Sequence, residues 1–390
     1  MVSGSTTHVD DSETCIRAMV VDDSAIVRGL ISRILESDSD IKVISSVGDG
    51  LMALNAIKRH DVDVVVLDIE MPRMDGLTAL PKLIEARPGV KVIMASTLTR
   101  RNAEISMKAM ELGASDYIPK PTSTGGIHSG DEFKRELIDK VRALVNLPAA
   151  SSSGGTAPTA ATGTSVPRRP AVQRTVRTAP TVPAKSTSTN LRPAGTARPN
   201  VIAIGSSTGG PQALQRVLGN LSASITLPIL ITQHMPATFT TILAEHISRA
   251  SGRPCKEAED GDVVRTGEIY VAPGDFHMGL EQSGTDVIIR LNQDPPENFC
   301  RPSADVMLRA VLDVYGSNVL VVILTGMGQD GLVGSSAIAD AGGTVIAQDE
   351  ESSVVWGMPG AVATRGICSA VLPLTGIAAH MENIVRRVAA

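Results

Sequence analysis

Short apolar runs alternate with amphipathic stretches along most of this chain. Residues 18–21 predict a strand, and residues 26–35 place apolar side chains at helical spacing. The run 62–67 is nearly all valine and leucine, as expected of a strand covered on both faces. Residues 41–46, 90–95 and 116–118 predict three further strands, with helices expected at 52–58, 77–86, 102–112 and 132–145. Five such βα units predict a doubly wound parallel sheet. The alternation then stops. From about residue 147 to 200 the chain is rich in Ala, Thr, Ser, Pro and Gly, with seven basic residues and no acidic one. Such a stretch cannot bury enough apolar surface to offset its ordering entropy, so a flexible linker is expected.

After the linker the pattern resumes. Strands are predicted at 201–204, 228–232, 319–324 and 344–348, and helices at 211–218, 239–249, 303–314 and 331–341. Residues 262–291 instead read as short strands punctuated by Gly and Pro, which predicts a small antiparallel insertion. The expected organisation is an α/β chain of two domains. A flavodoxin-like (βα)5 domain spans 16–146 and a linker 147–199. A second, doubly wound and mostly parallel domain spans 200–390.

Composition narrows the function. The net charge of -5 and the 2% aromatic content argue against nucleic acid as a partner. The four cysteines are scattered, without a Cys-x-x-Cys pair, so neither a zinc site nor a disulfide framework is expected. Residues 1–13 are polar, and no apolar run is long enough to span a bilayer. A cytoplasmic location without membrane insertion is therefore expected.

Two clusters carry chemistry. Ligands gather at the carboxyl ends of parallel strands. Asp22 and Asp23 follow the first predicted strand, Asp68 the third, Ser96 ends the fourth and Lys120 follows the fifth. Crowded carboxylates repel unless a divalent cation neutralises them, and Mg2+ suits an oxygen-rich site. In the second domain, 205–210 reads Gly-Ser-Ser-Thr-Gly-Gly between a strand and a helix, with Ser207 at the centre of a Gly-x-Ser-x-Gly turn. It lacks the Lys-Ser/Thr pair of a phosphate-binding loop and the spacing of a dinucleotide loop. A serine nucleophile needs a base. His234 directly follows a predicted strand and leads the candidates, with His277 second. The orienting acid is best placed at Asp330, after the strongest apolar strand, although Asp262, Asp275 and Asp305 compete. The order Ser, His, Asp differs from the Ser, Asp, His of α/β-hydrolases.

These motifs resemble known families. Val21-Asp22-Asp23-Ser24, the stretch from Leu67 to Gly76 and Lys120-Pro121 resemble a bacterial response-regulator receiver. That resemblance implies that Asp68 accepts phosphate from a histidine kinase. It implies that Asp23, Asp68 and the Glu70 carbonyl hold Mg2+, with Asp22 contacting it through water. Lys120 and Ser96 would sense the phosphoryl group, with Tyr117 at the switching aromatic position. Gly205 to Gly210, Gln233-His234-Met235-Pro236, Arg301-Pro302-Ser303-Ala304-Asp305, Leu324 to Gly331 and Gly357-Met358-Pro359 resemble the chemotaxis protein-glutamate methylesterases. That family's nucleophile falls on Ser207 rather than Ser206, and its oxyanion donors on the N–H groups of Thr208 and Met327. The implied activity is hydrolysis of glutamate methyl esters on chemoreceptor cytoplasmic helices, with deamidation of receptor glutamines, controlled by phosphorylation. No cofactor is expected for the ester chemistry itself. The rival classes are a phosphorylation-controlled binding module without catalysis, and a DNA-binding output, for which no basic face or helix-turn-helix pattern is seen.

Overall fold

A computed structural model describes residues 15–120, 127–145 and 190–386. The first domain contains β1 (Ile16–Val21), α1 (Ala25–Leu35), β2 (Ile41–Val47), α2 (Gly50–Ile57), β3 (Val64–Asp68), α3 (Gly76–Ala86), β4 (Lys91–Ser96), α4 (Arg100–Glu111), β5 (Asp116–Pro119) and α5 (Ile127–Val145). Its five strands are parallel, in the order β2-β1-β3-β4-β5. Every residue of β3 is buried, which explains its unbroken apolar sequence. Four helices start on a side chain that accepts a hydrogen bond from a backbone N–H of the first turn. Ser24, Asp49, Asp75 and Thr99 cap α1, α2, α3 and α4 in this way. Each cap contributes about 1 kcal/mol.

The second domain contains β6 (Val201–Ser206), α6 (Gly210–Gly219), β7 (Ile229–Gln233), α7 (Ala237–Ser251), β8 (Cys255–Glu257), β9 (Ile269–Val271), β10 (His277–Ser283), β11 (Asp286–Asn292), α8 (Ala304–Tyr315), β12 (Val319–Ile323), α9 (Leu332–Asp340), β13 (Thr344–Gln348), α10 (Met358–Thr364), β14 (Ala370–Leu372) and α11 (Leu374–Arg386). Seven of its strands form one parallel sheet in the order β14-β13-β12-β6-β7-β9-β8. The small antiparallel insertion is present. β10 and β11 pair antiparallel as a hairpin turning at Gly284, and Val263 bridges to Ile288 of β11 in the same sense. Within the segment 262–291, β9 joins the main sheet beside β7, with all three of its residues buried. A three-residue apolar run has no periodicity that distinguishes the two placements.

The expected linker also ends earlier than residue 199. Arg192 N donates to Cys368 O at 2.8 Å, and a Cβ on Gly195 would lie 2.1 Å from Gly342 O. Residues 190–199 thus pack on the second domain, while 147–189 lie outside the described residues, as do 122–126 of the segment before α5.

The two domains touch. One apolar cluster runs from Met107, Met110 and Tyr117 of the first domain into Leu214, Phe239 and Leu243 of the second. Arg100 of α4 pairs with Glu245 of α7 at 2.7 Å, and Gln212 of α6 donates to Ala114 O at 3.1 Å.

Candidate functional site

The parallel order of the first sheet brings the ends of β1, β3, β4 and β5 side by side. Asp22, Asp23 and Asp68 each offer an oxygen within 4.8 Å of the others. Lys120 Nζ lies 2.7 Å from Asp22 Oδ2 and 2.6 Å from Asp68 Oδ1. One ammonium is thus shared between two buried carboxylates. Asp68 is pushed up to about 6, by burial first and then by Asp22, against the pull of Lys120. Three crowded acids that share one lysine fit a divalent cation. The turn after Asp68 needs Gly76, where a Cβ would lie 2.0 Å from Asp68 O. Ser96 is buried, with its hydroxyl 3.2 Å from that of Ser106. Glu70 has an exposed side chain.

In the second sheet β12, β6 and β7 are neighbours, so the segments leaving them meet at one edge. The turn after β6 is tight. Gly209 has φ 76, and a Cβ on Gly210 would lie 1.9 Å from Gln233 Oε1. The two serines of this turn differ. Ser206 is fully buried and donates to Gln233 Oε1 at 2.7 Å. Ser207 is partly exposed, and among the described residues nothing bonds its hydroxyl. Gly326 makes room for it, because a Cβ there would lie 2.9 Å from Ser207 Cβ.

His234 leaves β7 with its backbone N–H bonded to Ser206 O at 3.2 Å. Its Nε2 is 2.7 Å from Asp330 Oδ2, and its Nδ1 is 3.4 Å from Cys300 Sγ. Asp330 lies at the N-terminus of α8. It accepts from Ala304 N at 2.6 Å, Ser303 Oγ at 2.8 Å, Asn298 Nδ2 at 2.9 Å, Gly331 N at 3.0 Å and Asp305 N at 3.1 Å. Burial opposes its charge, but His234 and these donors hold the carboxyl well below its usual range. An ionised Asp330 only accepts, so the imidazole carries a hydrogen on Nε2, and Nδ1 is the nitrogen left to face a nucleophile. Burial works against charge on His234 too, yet Cys300 and Asp330 raise it well above its ordinary value.

The competing residues take other roles. His277 is buried, with Nδ1 accepting from Ser303 N at 3.2 Å, and so fixes the loop before α8. Asp305 accepts from Gly334 N at 2.7 Å, and burial beside Asp330 raises its pKa. Asp262 pairs with Lys256 and Asp275 with Arg301, and neither bonds the imidazole. Asn298, Cys300 and Ser303 were not expected. Ser303 lies within the recognised Arg-Pro-Ser-Ala-Asp stretch, but no local signal marks Asn298 or Cys300. Among the described residues the N–H groups of Thr208 and Met327 have no hydrogen-bond partner.

Sequence comparison accounts for both sheets. A response regulator receiver domain model matches residues 18–129, and a CheB methylesterase model matches residues 202–381. The protein-glutamate methylesterase/protein-glutamine glutaminase 1 of Paramagnetospirillum magneticum is 56% identical over 95% of this chain and 97% of its own length. The chain belongs to the receiver-linked CheB methylesterase family. The similarly named enzyme of Rhodospirillum rubrum is 56% identical over 94% of each chain. That of Azospirillum brasilense is 55% identical over 96% of this chain and 94% of its own.

Within this family member the receiver sits against the esterase site. Thr208 Oγ1, beside Ser207, donates to Asp116 Oδ2 of β5 at 2.7 Å. Asp116 is also 3.1 Å from Lys140 Nζ of α5. Tyr117 stacks on Phe239 with ring centroids 4.4 Å apart. Met327 and Val354 pack against the receiver cluster containing Ile118, Phe133 and Leu137.

Proposed function

We propose that Ser207, His234 and Asp330 are the triad of a protein-glutamate methylesterase with glutaminase activity, acting on the cytoplasmic helices of chemoreceptors. Ser207 attacks the carbonyl of a glutamate methyl ester. His234 takes the hydroxyl proton on Nδ1 while Asp330 holds Nε2–H and stabilises the imidazolium. The free N–H groups of Thr208 and Met327 receive the developing oxyanion. His234 then returns the proton to the leaving methanol, and water, activated by the same nitrogen, releases the glutamate. A glutamine side chain presents the same carbonyl, with ammonia leaving. The observation that carries this reading is the 2.7 Å contact between His234 and Asp330 at the same sheet edge as the partly exposed Ser207.

Asp68 is the residue we assign to phosphorylation, with a histidine kinase as donor. Asp23, Asp68 and the Glu70 carbonyl would hold Mg2+, with Asp22 reaching it through water. Bound there, the ion neutralises the carboxylates and the transferring phosphoryl oxygens. Lys120 and Ser96 contact the phosphoryl group, and Tyr117 couples its arrival to the Phe239 interface. The receiver, approximately residues 16–146, restrains the esterase domain by covering Thr208 and Met327; a location in the cytoplasm fits both partners. The test is methanol release from methylated receptor membranes by the wild type and by Ser207→Ala. A loss of about 10^4-fold or more is expected. Equal release by both proteins refutes the triad.

A further inference from the structure

The nitrogen that must take the Ser207 proton is already engaged. With Asp330 on Nε2, only Nδ1 is left for a nucleophile, and Cys300 Sγ lies 3.4 Å from it. Ser207 Oγ, by contrast, has no partner among the described residues. We infer that Cys300 is a positioning residue that holds His234 in a resting orientation, its thiol occupying the nitrogen that Ser207 must reach. This rests on the triad reading above.

The loop that carries Cys300 joins the triad to the receiver. Asn298 bridges Asp305 Oδ2 at 3.0 Å and Asp330 Oδ1 at 2.9 Å. Phe299 is 74% exposed, yet one ring face is covered by Arg135 of α5, with the guanidinium carbon 4.3 Å from the centroid. Asn298 and Phe299 have φ of 52 and 63, a left-handed pair that side chains rarely adopt. Three consecutive residues therefore contact the acid of the triad, the receiver and the base of the triad. A docked receiver favours the loop conformation that puts the thiol on Nδ1. Undocking removes the Arg135 contact, frees the loop and lets the imidazole exchange Sγ for Ser207 Oγ. The groups facing His234 agree with a resting state. Asp330 faces it from the segment before α9 and Cys300 from the loop before α8, with Asp305 and Glu297 behind Asp330. Together Cys300 and Asp330 outweigh burial and favour the charged imidazole, which cannot act as a base.

The experiment compares full-length wild type, Cys300→Ala, Cys300→Ser and Phe299→Ala in methanol release from methylated receptor membranes. Each is assayed with and without acetyl phosphate and Mg2+. For Cys300→Ala, the unphosphorylated kcat rises about 3- to 10-fold, and KM is unchanged. The acid limb of its kcat/KM profile moves to lower pH, and the phosphorylated kcat stays within about twofold of wild type. Serine keeps a polar group facing Nδ1 but on a shorter bond, so Cys300→Ser falls between alanine and wild type. Phe299→Ala loses an exposed cation–π contact and raises basal kcat about 2- to 5-fold. The inference is overturned by a folded Cys300→Ala with wild-type kcat and acid limb. Loss of its phosphorylated activity also overturns it, since Cys300 would then assist turnover rather than restrain it. Should Cys300→Ala fail to fold, unchanged basal rates in both Cys300→Ser and Phe299→Ala overturn it. Full activity in Ser207→Ala would instead sink the triad reading, whatever Cys300 does.

Discussion

The receiver site and the esterase site use the same residue type at the same kind of place, with opposite results. Asp68 and Asp330 both sit at the carboxyl edge of a parallel sheet, and both are buried. Burial dominates at Asp68, where Lys120 is shared with Asp22, and the carboxyl is pushed up to about 6. At Asp330 five backbone and side-chain donors and the imidazole converge, and the carboxyl is driven down. A carboxylate left short of donors waits for a cation; one saturated with donors is fixed as an anion. The first suits a site that is switched, the second a site that must be ready without adjustment.

Replacing each acid by its amide gives the largest separation between the two sites. In Asp330→Asn, one carboxylate position becomes an NH2 that meets existing donors, so kcat should fall about 10^3- to 10^4-fold. Asp68→Asn should keep the basal kcat and lose all response to acetyl phosphate. Steady-state methanol release with both variants checks the contrast, and a basal loss in Asp68→Asn would break it.

The bond that joins the two regions comes next. Asp116→Ala removes the acceptor of the Thr208 hydroxyl, a hydrogen bond to a charged group. The unphosphorylated rate should rise about tenfold, with little change after phosphorylation. An unmoved basal rate would mean that Asp116 contributes nothing to docking.

A pH series sharpens the electrostatic side. Because protons compete with a cation for Asp68, Mg2+ affinity should weaken as pH falls through about 6, by up to about tenfold per unit. Calorimetry between pH 5 and 8 in two buffers of different ionisation heat reads both the affinity and the proton released. Affinity independent of pH would remove the contrast with Asp330.

The smallest effect belongs to Ser206→Ala. It loses the bond to Gln233 but no reacting group, so stability should drop about 1 kcal/mol and kcat should change less than about threefold. Urea unfolding and turnover on the same preparation separate the two.

Much of this was legible before folding. Strand runs of valine and isoleucine, and apolar positions at helical spacing, place elements by local physics alone. Locating Ser207, His234 and Asp330 at strand ends needed only the rule for ligand position in parallel sheets. The placement of β9 was not legible, because three apolar residues pair equally well in either sense until a neighbouring strand is available. Nor was the role of His277, whose partners Ser303 and Pro295 are distant in sequence and close only after the loop has folded back.

By itself, then, the sequence determined which elements form, which acids and bases reach a sheet edge, and which of two adjacent serines has the motif position. These follow from periodicity, motif position and topology, all short-range or order-based properties. The tertiary structure decided which nitrogen of His234 is free, that Cys300 occupies it, and that Asp116 of one domain holds Thr208 of the other. Those depend on directed contacts between residues from 66 to 96 positions apart, and direction over such spans exists only once the chain is packed.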